Sequence, residues 1–140
     1  MPHEQPPLVE ELDPAITPED VFVRLAGNPH CLFLDSATAG DELGRYSFVT
    51  ADPFWFLHAM PEEPNALPSI ERLLAENRAA RRADLPPFQG GAAGLFSYDM
   101  GRWFERLLKP RFDEFGVPAL AVGLYDVVVA FDHATCKSWI

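Results

Sequence analysis

The sequence predicts an α+β domain, built on a mostly antiparallel β-sheet with about three helices. Extended runs rich in aromatic and β-branched residues, at 45–51, 54–58 and 120–131, are separated by Asp-Pro, Gly and Pro breaks. Helix-start signals and helical apolar spacing mark residues 17–27, 69–82 and 99–108. Asp132-His133-Ala134-Thr135 then reads as a turn that sends the chain back on itself.

The elements follow in order. Residues up to Ala15 are rich in Pro and Glu and read as extended. Thr17 can accept a bond from the free amides of a first turn, Pro18 suits the first helical position, and Glu19 and Asp20 favour the positive end of the dipole. Val21, Phe22, Leu25 and Ala26 form the apolar face, and Gly27 ends the helix. Residues 31–34 read as a short buried strand, and residues 35–43 as a polar loop. Strands at 45–51 and 54–58 follow, divided by Asp52-Pro53. In the second helix, 69–82, Ile70, Leu73 and Leu74 make the apolar stripe, with Arg78, Arg81 and Arg82 towards its negative end. A third helix, 99–108, has Asp99 placed as N-cap. Residues 120–131 read as one long strand, and 136–140 begin the return strand. That ending predicts an apolar sheet edge in need of a partner, in the N-terminal part of a longer protein.

Composition narrows the function. With 21 acidic against 11 basic residues the formal net charge is −10, which disfavours nucleic acid and anionic membrane surfaces. No apolar run approaches the ~20 residues of a membrane span, and the first residues lack the basic and apolar regions of a signal peptide. A cytoplasmic location is expected. Cys31 and Cys136 read as two buried free thiols rather than a disulfide or zinc framework.

The segment Gly90-Gly91-Ala92-Ala93-Gly94 could cradle a phosphate or let backbone pass close to backbone. It lacks the Gly-Lys-Ser/Thr ending of a P-loop and the Gly-x-Gly-x-x-Gly spacing. Close approach within a strand is the stronger reading, with Phe96 and Tyr98 on one face and Leu95 and Ser97 on the other. Asp99, Arg102, Glu105 and Arg106 form a charged set, either a solvated helix face or a partner contact. His3, His30, His58 and His133 are scattered, without a visible nucleophile. Ser36 lacks the Gly-x-Ser-x-Gly context of a hydrolase and reads as a turn residue able to present its hydroxyl at a strand end.

Four ordered segments carry a family resemblance: Phe33-Leu34-Asp35-Ser36-Ala37; Gly44-Arg45-Tyr46-Ser47-Phe48 with Ala51-Asp52-Pro53; Gly90 to Asp99; and Gly123-Leu124-Tyr125-Asp126 with Phe131-Asp132-His133. Together they resemble the N-terminal domain of chorismate-utilising synthases, namely component I of anthranilate synthase and of aminodeoxychorismate (para-aminobenzoate) synthase. The resemblance implies that residues 1–140 are the N-terminal domain of a larger chorismate-binding enzyme fold. It implies a glutamine amidotransferase partner, a chorismate-binding C-terminal domain that holds the catalytic residues, and Mg²⁺ in the full-length enzyme. No catalytic or metal residue is assigned to this chain. Asp35, where anthranilate synthases carry Glu, and the Gly101-Arg102…Glu105-Arg106 pattern resemble the aminodeoxychorismate branch of folate biosynthesis. The run Leu95 to Asp99 also resembles the anthranilate branch of tryptophan biosynthesis. By the same resemblance, Leu34, Asp35, Ser36, Arg45, Tyr46 and Ser47 are the candidate residues of an amino-acid pocket that holds a tryptophan-like ligand, with Ser36 towards the ligand and Asp35 a structural acceptor. A non-catalytic amino-acid-binding or structural module is the alternative of a different class.

Overall fold

The computed structural model describes residues 7–36, 38, 44–109 and 111–140. Among the described residues the strands are β1 (Leu32–Leu34), β2 (Tyr46–Thr50), β3 (Trp55–Ala59), β4 (Gly91–Phe96), β5 (Leu120–Tyr125), β6 (Val129–Asp132) and β7 (Lys137–Trp139). They form two antiparallel sheets, one in the order β1-β2-β6-β7 and the other β3-β5-β4. Two α-helices, α1 (Pro18–Leu25) and α2 (Leu67–Glu76), and a 3₁₀ helix (Tyr98–Trp103) complete the α+β architecture. Among the described residues no helix is long and apolar enough to cross a membrane.

Each sheet has its own core. In the four-stranded sheet, Val49, Val129 and Phe131 are covered by Val21, Phe22 and Leu25 of α1 together with Leu12 and Ile16. The helix lies there because its start is fixed locally. The Thr17 hydroxyl accepts from the Asp20 amide and the Asp20 carboxylate accepts from the Thr17 amide, each at 3.2 Å, a reciprocal cap that satisfies two free donors. In the three-stranded sheet, Ile70, Leu120 and Val122 are packed by Leu67, Trp55, Leu57, Met100 and Trp103.

The apolar run at 120–131 is not one strand. It breaks at Asp126-Val127-Val128, and its two halves belong to different sheets. Each half is the interior strand of its sheet or lies between two partners: β5 between β3 and β4, β6 between β2 and β7. The crossover is tied by the Thr50 hydroxyl, which donates to the Val127 carbonyl at 2.6 Å.

Both later helices differ from expectation. α2 starts earlier, where the Asn65 side chain accepts from the Leu67 amide at 3.0 Å, and stops at Glu76. Asn77 leaves the helical region, and both its amide and its side-chain nitrogen donate to the Leu73 carbonyl. Arg78, Arg81 and Arg82 therefore lie beyond the helix. Arg82 pairs instead with Asp84 at 2.6 Å. The segment after β4 is 3₁₀ rather than α, with Ser97 at the N-cap position and Asp99 already inside. The tighter helix aligns residues i and i+3, and Arg102 accordingly donates to Asp99 at 3.1 Å. The Arg102 guanidinium also reaches the carbonyls of Leu107 and Leu108. Its side chain is only 12% exposed, so it staples its own turn rather than forming part of a solvated face. Tyr98, expected on a strand face with Phe96, has left the strand and is exposed.

The return strand is not left with an open edge. The Glu10 and Ile140 amides exchange hydrogen bonds with each other's carbonyls at 2.8 and 2.9 Å, and the Leu12 amide donates to the Ser138 carbonyl at 2.9 Å. The extended N-terminal segment thus lies along β7. Of the polar loop expected at 35–43, only Asp35, Ser36 and Thr38 fall among the described residues. β1 is half-buried rather than buried, and of the two free cysteines Cys31 is half-buried and Cys136 exposed.

The glycine cluster lies within β4 and pairs with β5, so its backbone is part of a sheet rather than a strand–helix loop. Gly94 has φ of +149°, and a Cβ there would stand 2.2 Å from the Ala121 carbonyl oxygen. Gly91 differs: its φ is +116°, but a Cβ would meet only Leu74, at an ordinary 3.8 Å. Close approach is therefore tightest at Gly94, with Gly90 next, where a Cβ would stand 3.0 Å from the Tyr125 carbonyl oxygen. Gly94→Val should lower folding stability by about 1–3 kcal/mol through overpacking against β5. Chemical denaturation checks this, and an unchanged midpoint would remove the close-packing account.

Candidate functional site

The candidate residues gather where β1 ends and β2 begins. β1 pairs with β2 in the register Leu32↔Thr50, Phe33↔Val49, Leu34↔Phe48. After Leu34 the strand stops, which frees Asp35 and Ser36 from strict alternation. Both line a shallow concavity of about 450 Å³, with Phe33, Leu34, Tyr46 and Phe48. Four of the six candidates, Leu34, Asp35, Ser36 and Tyr46, thus share one groove. Its lining joins aromatic and apolar residues to an aspartate and a serine. Phe48 is steadied by Tyr46 at 6.1 Å between ring centroids and by Phe88 edge-on at 5.7 Å. A second concavity of about 520 Å³ adjoins on the other side of Tyr46, lined by Arg81, Arg82, Ala83, Leu85 and Pro87.

The other two candidates, Arg45 and Ser47, stand behind the groove. Arg45 forms a two-pronged pair with Asp132, Nε to Oδ1 at 3.0 Å and Nη2 to Oδ2 at 2.7 Å. Its guanidinium lies over the Tyr46 ring, 4.9 Å from the centroid. Asp132 is buried and also accepts from the Ala134 amide at 3.0 Å, which closes the turn after β6. The hydrogen bond from Arg45 holds the Asp132 carboxyl below the usual carboxylate range, against a desolvation that acts the other way. The same bond raises the Arg45 guanidinium. Ser47 is fully buried, and its hydroxyl lies 2.5 Å from Asp35 Oδ1 and 2.6 Å from His133 Nε2. Asp35 Oδ1 thus accepts from a hydroxyl rather than from the expected amides.

Asp132 and His133 belong to the arrangement but not to the candidate set, although the motif Phe131-Asp132-His133 contains them. No local spacing could link them to Arg45 and Ser47, which lie 86–87 residues away in sequence. Two other histidines stand elsewhere: the His30 ring stacks on Phe56 at 3.5 Å, and His58 is exposed on β3, while His3 lies outside the described residues.

No protein-family model matches the chain. Curated relatives do. Over 121 residues it is 36% identical to a probable anthranilate synthase component 1 of Schizosaccharomyces pombe, covering 85% of this chain and 24% of that protein. Over 130 residues it is 34% identical to the aminodeoxychorismate synthase component 1 of Escherichia coli, covering 82% and 28%. The anthranilate synthase component 1 of Streptomyces coelicolor is 34% identical over 138 residues, covering 95% and 26%. The chain belongs with the component I proteins of anthranilate and aminodeoxychorismate synthases. It spans about a quarter of the length of these relatives. Among the described residues no group of three or more His, Cys, Asp or Glu side chains could hold a metal ion. The Mg²⁺ implied for a full-length component I protein thus has no ligand set there, and none of these residues is assigned a step involving it.

The Arg45–Asp132 pair gives this component I relative an acid-sensitive tie. The folded-state pKa of Asp132 lies below its unfolded value of about 3.9, so the stabilisation is complete above that value and is lost as pH falls through the folded one. Arg45→Met should therefore be less stable than the parent at pH 6, and the two should converge towards pH 2. Urea denaturation across that range checks it, and a gap that stays constant with pH would assign the acid response elsewhere.

Proposed function

We propose that this chain is the N-terminal module of an aminodeoxychorismate (para-aminobenzoate) synthase component I. It acts with a chorismate-binding catalytic domain and a glutamine amidotransferase in the cytoplasm, on the way to folate. Ammonia released from glutamine is added to chorismate, and Mg²⁺ bound outside the residues described above assists. In this module, Leu34, Asp35, Ser36 and Tyr46 form one wall of a pocket for a tryptophan-like amino acid, with Arg45 and Ser47 supporting that wall from behind. The observation that carries the reading is the groove itself. It offers an aromatic floor for an indole, a carboxylate for an ammonium group and a hydroxyl able to donate or accept. These are the residues by which the sequence resembles the family's amino-acid site. The branch preference rests on Asp35 and on the pattern around Arg102. Because Arg102 is occupied by its own turn, an amidotransferase contact on this segment would fall to the exposed Glu105 and Arg106.

A second reading, anthranilate synthase component I, is supported by the run Leu95 to Asp99 and by relatives that bear that name. The two are separated by giving chorismate and glutamine to the purified gene product that carries these residues, together with its amidotransferase. Aminodeoxychorismate is expected by chromatography. Anthranilate would move the protein to the other branch, and neither product would overturn the synthase reading.

The pocket has its own test. A groove with one wall buries little of an indole, so the 140-residue chain should bind tryptophan no more tightly than millimolar, and a complete component I protein more tightly. Ser36→Ala should weaken the latter by about 1–3 kcal/mol, the cost of leaving a buried polar group unpaired. Calorimetry on both proteins checks this. Tight binding by the 140-residue chain, or an indifferent Ser36→Ala variant of a complete protein that binds, would overturn the half-pocket.

A further inference from the structure

Ser47 is fully buried between two exposed residues, Asp35 and His133. The strand register brings the three together. Leu34↔Phe48 is the last pair of β1 with β2, so Asp35, the next residue, comes beside Ser47 just past the strand end. Ser47 in turn stands opposite Phe131 across β2 and β6, and His133 follows two residues later on the same side. The contacts are 2.5 Å to Asp35 Oδ1 and 2.6 Å to His133 Nε2.

Donor and acceptor chemistry gives this chain of bonds one direction. An ionised carboxylate only accepts, so Asp35 takes the single hydroxyl proton of Ser47. The serine oxygen must then accept from the imidazole, which places a proton on Nε2 of His133. The bonds run from His133 to Ser47 to Asp35. A nucleophilic serine has the opposite order, because it gives its proton to a histidine oriented by an acid. With Ser47 also shielded from solvent, the cluster is not a hydrolytic site.

We infer that His133 is a positioning residue for the groove: acting through Ser47, it fixes one oxygen of Asp35 and so holds the carboxylate at the groove wall for the ammonium group of an amino-acid ligand. The inference rests on the amino-acid reading of the groove given above. Asp35 lies just past the end of β1, where no strand pairing constrains it, so its orientation depends on this side-chain bond. The His133 ring is not needed for the turn itself. That turn is held by the His133 amide on the Arg45 carbonyl at 2.9 Å and by the Ala134 amide on Asp132 at 3.0 Å.

The test uses nuclear magnetic resonance on the ¹⁵N-labelled 140-residue chain. Long-range ¹H–¹⁵N spectra should show neutral His133 protonated at Nε2, and Ser47→Ala should move its Nε2 signal. Titrations at millimolar concentration then compare tryptophan, tryptamine (which keeps the ammonium) and indole-3-propionate (which lacks it). His133→Ala should weaken tryptophan and tryptamine about 3- to 10-fold, the worth of one net hydrogen bond, and leave indole-3-propionate unchanged. His133→Gln, whose amide nitrogen can donate from a similar place, should restore binding. A neutral His133 protonated at Nδ1, tryptophan binding indifferent to His133→Ala, or an equal loss for indole-3-propionate would each overturn the inference and leave the groove standing. Tryptophan that shifts no groove resonance of the parent chain in a titration extended to its solubility limit would overturn the groove reading, and the inference with it.

Discussion

The architecture depends on one constraint: a single run of chain, Leu120 to Asp132, supplies a strand to both sheets and lies between two neighbours in each. Leu120, Val122, Leu124 and Tyr125 are at most 2% exposed, and Val129 to Asp132 at most 7%. A segment flanked on both sides must change sheets without losing its backbone bonds in either, and only Asp126, Val127 and Val128 are available for the change. The Thr50 hydroxyl on the Val127 carbonyl supplies one bond that pairing cannot make there. Tyr125 supplies a second tie, its hydroxyl donating to the His30 carbonyl at 2.7 Å, so the loop before β1 is anchored to the other sheet.

The groove inherits its position from this crossover. Once β6 is placed, the turn after it sets Asp132 under Arg45 and His133 beside Ser47. These two contacts fix the start of β2, and the Ser47 hydroxyl ties Asp35 at the end of β1 to it; the two ends are the groove's two sides. Asp35 and Ser36 of the groove therefore sit on a short, exposed segment, while the groups that hold it are buried or tied to buried strands. This is a common division of labour, with adaptable groups at a strand end and a rigid sheet behind them.

Local chemistry made part of this legible. The cap of α1 could be read from Thr17-Pro18-Glu19-Asp20 because every partner lies within four residues. Strands β2 and β3 were legible from composition, and the groove residues from a motif confined to 34–36 and 45–47. What escaped was non-local or a matter of competition. The run at 120–131 is apolar on both faces in both halves, so its pattern carries no mark of the sheet change beyond Asp126. The stop of α2 was set by the Asn77 side chain capturing a carbonyl, against good helix formers that continue the pattern. The 3₁₀ turn won over an α-helix at Tyr98 because Asp99 and Arg102 align at three residues per turn and Gly101 weakens the longer helix. Asp132 and His133 join the site only through pairing across some 86 residues, which no local period encodes.

The same two polar contacts have a structural consequence for pairing. A slip of one residue turns a strand's side chains to the opposite face, and an ordinary half-buried strand resists it because apolar residues would meet water. β6 has less of that protection, since Val129, Ala130, Phe131 and Asp132 are all buried, although Val129 and Phe131 face the core under α1. A slip would, however, separate Arg45 from Asp132 and Ser47 from His133 at once. It would leave Asp132 a buried carboxylate without its partner, an arrangement far costlier than a displaced valine. The ionic pair and the hydroxyl chain thus add to the apolar pattern in selecting the register. The site and the correct pairing of β2 with β6 are specified by the same four side chains.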